Sequence, residues 1–250
     1  MTPARILVPG IVLVALLGWL PHASSAFHAM FPEVSHPLYT RTGFLALTGA
    51  HLSLVAIASV ASIVTGLGLG IAVTRPGAEG LLPTVQSVAV IGQTLPPVAV
   101  LALAVPAMGF GTAPTILALA IYGILPVLGQ TILGLQHIPA AVRDAADGMG
   151  YRPWRRLLDV ELPLAVGPIM AGVRLSVIVA IGTATIGSTV GATTLGSPIV
   201  EGLIGNNTPY VIQGVLVVGS LALFVDGVLG WLETMWTPQT NTGESSTCVD

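Results

Sequence analysis

Lysine is absent from this 250-residue chain; all eight basic residues are arginine. That excludes a P-loop of the form G-x-x-x-x-G-K-[ST], whose lysine sits on the phosphates. It also excludes lysine Schiff-base and general-base chemistry. Charge of either sign is scarce: 8% of residues are charged, against about 25% in a soluble domain. Such a surface cannot face water all round. A net charge of −3 with scattered arginines argues against a nucleic-acid footprint. The single cysteine, Cys248, permits neither an intrachain disulfide nor a cysteine-based zinc site. The five histidines are dispersed and show no metal-ligand spacing. No H-E-x-x-H, G-x-S-x-G or paired-carboxylate pattern points to an enzyme.

What remains is apolar. Hydrophobic residues make up 53% of the chain and mean hydropathy is +0.89, the composition of an integral membrane protein. A span takes roughly 20 mostly apolar residues. Residues 42–74, 80–142, 175–200 and 202–225 carry no charged side chain. The cluster Gly109-Phe110-Gly111-Thr112-Ala113-Pro114 divides the longest run. Spans are predicted near 52–73, 82–106, 115–135, 164–190 and 209–232. Residues 6–20 read either as a further span or, with Ser24-Ser25-Ala26 behind them, as a cleaved signal peptide. These runs do not alternate as barrel strands do, and only helices or closed barrels can cross lipid. The expected fold is therefore all-α: a polytopic helical bundle of about six spans, or five if residues 1–26 are removed. The expected layout is one unit over 1–250, with an N-terminal span and outer loop (1–43), a core (44–232) and a polar tail (233–250), unstructured from 237. Arginine counting orients it: Arg5, Arg75, Arg143, Arg152, Arg155 and Arg156 fall inside and only Arg41 outside.

Within the spans, Ser59, Ser62, Gly66, Gly68, Gly70, Gly182, Gly187 and Gly191 suit either close helix packing or a narrow path. Pro96-Pro97 and Pro126 should kink their helices. Gln93, Thr94, Gln130, Thr183, Thr185, Ser188 and Thr189 are candidates to line a path, or else to hydrogen-bond between helices. Tyr122 and Phe224 are the deep aromatics. Arg174 lies about 16 Å along a helix from Pro163 and Asp226 about 10 Å from Glu233. Both intramembrane charges thus fall toward the cytoplasmic side, where they could pair or snorkel separately. His51 is placed at a span's start as an interfacial anchor. Glu201 and Asn206-Asn207 fall in an outer loop.

Eight of the nineteen charged residues lie in residues 137–163. Proline and glycine punctuation suggests two short helices there, one from Pro139 to Gly148 or Gly150, the other from Pro153 and stopping before Pro163. Arg143 with Asp147, and Arg155 with Asp159, have i,i+4 spacing. Ala145 and Ala146 would leave a flat patch. Trp154, Leu157 and Leu158 would form an apolar face, either under the bundle or for a partner.

This segment resembles the cytoplasmic coupling motif of ABC importer permeases, Glu-Ala-Ala-x3-Gly-x9-Ile-x-Leu-Pro. Here it reads Asp144-Ala145-Ala146, Gly150, Val160 and Leu162-Pro163, with Asp for Glu and Val for Ile. Further likeness to the osmoprotectant branch, which takes up glycine betaine, choline or similar amines, runs over residues 44–232. It includes Gly92-Gln93-Thr94-Leu95-Pro96-Pro97, Ala171-Gly172-Val173-Arg174 and Val190-Gly191-Ala192-Thr193-Thr194-Leu195-Gly196. The outer loop 21–41 and Ala72-Val73-Thr74-Arg75-Pro76 are similar to the low-affinity glycine betaine branch. The resemblance implies a type I importer permease of the bacterial inner membrane that is not itself an enzyme. It implies ATPase-coupling roles for Arg143, Asp144, Ala145, Ala146, Gly150, Trp154, Leu162 and Pro163. Its partners would be cytoplasmic ABC ATPase subunits that bind ATP and Mg, a second permease subunit (identical or similar), an extracytoplasmic solute-binding protein and membrane lipid. No cofactor or metal is expected on this chain. The transported solute stays open.

Overall fold

The computed structural model describes residues 4–78 and 80–236, apart from the side chain of Gln93. Cys248 and the tail from 237 lie outside the described residues. Eleven α-helices follow in order: α1 Ala4–Trp19, α2 Ser24–Met30, α3 Phe44–Val73, α4 Leu82–Thr94, α5 Pro97–Met108, α6 Thr112–Gln136, α7 Ala140–Gly148, α8 Pro153–Arg156, α9 Leu162–Ala184, α10 Ser197–Ile204 and α11 Thr208–Trp236. A π-turn, Leu157–Glu161, joins α8 to α9, and a 3₁₀ segment, Thr185–Val190, extends α9. No strand occurs among the described residues. Five helical stretches are long and apolar enough to cross a membrane, and α4 with α5 make a sixth if that bent pair counts as one.

The core is the α3–α6–α9 layer, in which α6 lies between the other two; α11 packs on α9 and α1 lies along α11. Lipid offers these helices no hydrophobic reason to associate, so close backbone approach must do that work. A Cβ on Gly123 would stand 2.4 Å from Ser62 Oγ and 2.6 Å from Ser176 Oγ. Ser62 Oγ donates across the same crossing to the Ala120 carbonyl at 3.0 Å. Packing therefore accounts for Ser62 and Gly66, whereas Gly68 and Gly182 would meet nothing within 4 Å.

Three span boundaries differ from expectation. First, α3 begins at Phe44 rather than near 52, so His51 lies two turns inside the helix and is fully buried. It is not an interfacial anchor. Its Nε2 lies 3.1 Å from the Ile181 carbonyl, and its Nδ1 accepts from the Leu195 N–H at 3.3 Å. A neutral imidazole meets both groups, tying α3 to α9 and to the loop after it.

Second, the predicted span 82–106 is two helices meeting at 92°. Each proline bars the preceding residue from the helical region, and Leu95 and Pro96 are both extended (ψ 128° and 137°). By contrast α6 runs unbroken past Pro126. Third, the helix opened by Pro153 does not stop before Pro163. The Leu162 N–H reaches back five residues to the Leu157 carbonyl. The π-turn absorbs a residue just before Pro163, which has no N–H to give, and the helix continues into α9.

Side-chain contacts sort the two ends. Arg75 meets Glu161 at one end, while Arg41 meets Glu201 and Asn207 bonds the His36 carbonyl at the other. The segments assigned inside by arginine counting thus share one end, and those assigned outside share the other.

Candidate functional site

The charged segment forms a projection at the arginine-rich end. Helix α7 starts after an extended Pro139 and ends on Gly150, whose φ is +82°. The Gly150 N–H bonds the Asp147 carbonyl and the Tyr151 N–H bonds that of Ala146. This is a Schellman ending, with Gly150 as its left-handed residue. The motif glycine therefore acts locally, turning the chain sharply from α7 toward α8. Around the turn Met149 and Trp154 are 70% and 66% exposed, and Tyr151 stands out beside them. Asp144 and Ala145 also face outward, but Ala146 is buried, so the two alanines do not share one flat patch. The expected apolar face divides as well. Leu157 packs with Leu135, Ile138 and Ala165, whereas Leu158 remains exposed.

The ion pairs are not those of helical spacing alone. Arg143 Nη2 donates to the Leu135 carbonyl at the end of α6 instead of pairing with Asp147. Asp147 pairs with Arg156. Arg156 Nε also donates to Glu161 Oε1 at 2.9 Å, and Arg75 Nη2 stands 2.7 Å from Glu161 Oε2, off the hydrogen-bond angle. Glu161, 1% exposed, carries two guanidinium groups. Arg155 and Asp159 are exposed and 3.9 Å apart.

Arg174 and Asp226 come together as a two-pronged pair between α9 and α11, with distances of 2.7 and 2.8 Å. Arg174 Nη1 also donates to Glu233 Oε2 at 3.2 Å. That third member escaped the sequence reading, although Glu233 falls two turns beyond Asp226 on the same helix.

A cleft of about 520 Å³ opens between α4, α6 and α9, with Gln86 and Gln130 as its polar side chains. Gln130 was a path candidate; Gln86 was missed because it sits in a span already rich in polar residues near Gln93. Thr94, Tyr122, Thr183 and Thr185 do not line this cleft. The hydroxyls of Thr94 and Thr185 bond to the Ile91 and Gly182 carbonyls of their own helices, and Tyr122 Oη is buried without a partner. Phe224 packs beneath Gly10 of α1. The side chain of Gln93 lies outside the described residues.

At the opposite end, the loop before α3 is fastened over α10 and α11. Gln213 Nε2 donates to the Pro37 carbonyl at 2.6 Å and its Oε1 accepts from the Tyr39 N–H at 3.2 Å. Tyr39 Oη donates to Glu201 Oε1 at 3.0 Å, and Arg41 holds the other carboxylate oxygen at 3.1 Å. Burial first, then the hydrogen bond to Glu201, pushes the Tyr39 phenol up to about 12. Glu201 and Asn207 are thus engaged within the chain, in contrast to freely solvated loop residues.

The chain is a helical membrane bundle with a charged, helix-turn projection at one end. Residues 66–236 match the family described as binding-protein-dependent transport system inner membrane component, and the chain belongs to that family. It is 36% identical over 190 residues to the osmoprotectant import permease protein OsmY of Salmonella typhimurium, covering 76% of this chain and 80% of that one. It is 39% identical over 194 residues to the glycine betaine/carnitine/choline transport system permease protein OpuCB of Bacillus subtilis, covering 77% and 88%. A solved inward-facing structure of the MetNI methionine ABC transporter shares the fold, with a TM-score of 0.70 at 22% identity over 78% of this chain and 96% of that chain. The chain is therefore a multi-pass inner-membrane protein with an ABC importer permease fold.

Proposed function

We propose that this chain is the permease subunit of an ATP-driven importer for an osmoprotectant such as glycine betaine, choline or carnitine. The observation that carries the reading is α7 with its Gly150 turn: the coupling-motif spacing builds an exposed projection rooted in the membrane helices by ion pairs. In this reading the ATPase subunits dock on that projection and bind ATP and Mg, and this chain catalyses nothing. The permease works as a pair, with an identical or similar subunit, and receives solute from an extracytoplasmic binding protein. The scarcity of free aromatics supports delegated solute selection. A quaternary ammonium favours an aromatic cage, and of the two deep aromatics Phe224 is occupied against α1. Relatives named for these solutes support the substrate class. A secondary transporter would carry acidic groups deep in its spans; here Asp226 lies near the charged end and is held by Arg174.

The test is reconstitution in proteoliposomes with the ATPase and binding protein, followed by uptake of labelled glycine betaine, choline and carnitine. ATP-dependent uptake that Gly150→Pro reduces at least ten-fold is expected. Uptake that ignores ATP, or survives Gly150→Pro, overturns the reading.

A further inference from the structure

Helix α7 rests lightly on the bundle. Ala146 and Val142 turn inward, and two side chains leave it for neighbouring elements: Arg143 for the end of α6, and Asp147 for Arg156 of α8. The second route continues. Arg156 donates to Glu161, and Glu161 holds Arg75 at the end of α3. Arg75 is itself fixed to its helix, its Nε donating to the Ile71 carbonyl at 3.3 Å. A continuous line of ion pairs thus runs from α7 through the root of α9 to the end of α3.

The middle link is the hardest to break. The Glu161 side chain is 2% exposed and that of Arg156 12%. Pulling the two apart would leave each largely buried charge with only its outer partner, Arg75 for Glu161 and Asp147 for Arg156, an unfavourable state. Asp147, with its side chain 50% exposed, is the soft outer link. Glu161 also lies on the π-turn, where an inserted residue redirects a helix.

We propose that Glu161 is a positioning residue of the coupling step, and that the Asp147–Arg156–Glu161–Arg75 line delivers displacement of α7 to α9 and α3 together. Arg143 delivers the same displacement to α6. With the line intact, the three helices of the core layer receive one movement. With it cut, α7 moves α6 while α3 and α9 lag. This rests on the importer reading above.

The experiment measures solute transported per ATP hydrolysed in the reconstituted complex, using labelled glycine betaine, choline and carnitine as probes. Glu161→Gln keeps the shape and removes the charge. It should lower the ratio at least ten-fold while hydrolysis stays within three-fold and the ATPase still co-purifies. Asp147→Asn, on a side chain 50% exposed, should lower the ratio at least three-fold. The double variant should be no worse than Glu161→Gln alone, because both cut one line. A ratio within two-fold of the parent in Asp147→Asn, or uptake and hydrolysis falling in step in Glu161→Gln, overturns the relay. A parent without ATP-dependent uptake overturns the importer reading and the relay with it. A transporting parent with unchanged variants overturns the relay alone.

Discussion

Arg174 is the residue whose surroundings make the sharpest single-site statement. It serves two carboxylates, Asp226 and Glu233, so the two possible deletions are unequal. Asp226→Asn leaves Arg174 its second acid. Arg174→Gln removes the guanidinium that bonds Asp226 and Glu233 at once. Thermal unfolding in detergent should therefore show Arg174→Gln as the more damaging. The loss should be a fraction of the about 3–5 kcal/mol for breaking a fully buried pair, because the Asp226 side chain is 40% exposed. Exchanging the two charges should recover part of the loss. Tyr39 gives a pH-dependent counterpart. Its phenol is raised from 10.0 to about 12, so its neutral form is favoured in the folded state. That contribution is complete below about pH 10 and is lost as pH climbs toward 12. Absorbance titration of the phenolates should show a late-titrating component that Tyr39→Phe reduces. The Arg174–Asp226 pair was legible in sequence because each charge is isolated in an apolar run and both fall toward the same membrane face. The pairing of Asp147 was not. Spacing within one helix pointed to Arg143, but the Gly150 turn brings Arg156 back over α7, and a reversal of the chain leaves no trace in i,i+4 counting.

Among the elements, the end of α7 is set by one glycine and the α3–α6–α9 layer by several. Any L-residue at position 150 must adopt φ near +82°; Gly150→Ala should cost about 1–2 kcal/mol locally and appear as faster amide exchange over α7. Gly123→Val should be worse, because its side chain would enter the space of Ser62 and Ser176. Overpacking of that kind costs about 1–3 kcal/mol and should lower the detergent melting temperature. The helical elements themselves were plain in the sequence, since charge-free runs of span length have few other uses. Their ends were less plain. His51 made the start of α3 look like an interface, yet it bonds two backbone groups of other elements, and Thr48 before it bonds the Phe44 carbonyl. Such satisfaction is tertiary. Pro163 looked like a stop, but a proline ends a helix only when its missing hydrogen bond cannot be bypassed, and the π-turn bypasses it.

At the scale of the whole molecule, orientation rests on seven loop arginines, and the contacts of Arg41, Arg75, Arg143 and Arg156 sort as counting did. With Cys248 replaced by serine, Thr42→Cys in intact cells should react with a membrane-impermeant maleimide. Asp144→Cys should react only after permeabilisation. Equal labelling of both would reverse or dissolve the topology. The candidate path was the least legible part. Which face of an apolar helix meets a cleft depends on packing, and polar side chains such as Thr94 and Thr185 can satisfy themselves on their own helix.

The π-turn also fixes a phase. Each residue in an α-helix advances the side chains by about 100°. Deleting one residue from 157–161 would restore an unbroken α-helix and swing α8, with everything before it, about that far around the axis of α9. The projection would point away from its partner, and Arg156 would be turned from Glu161 and Leu157 from its core cluster. A single-residue deletion here should therefore abolish uptake and lower the detergent melting temperature together.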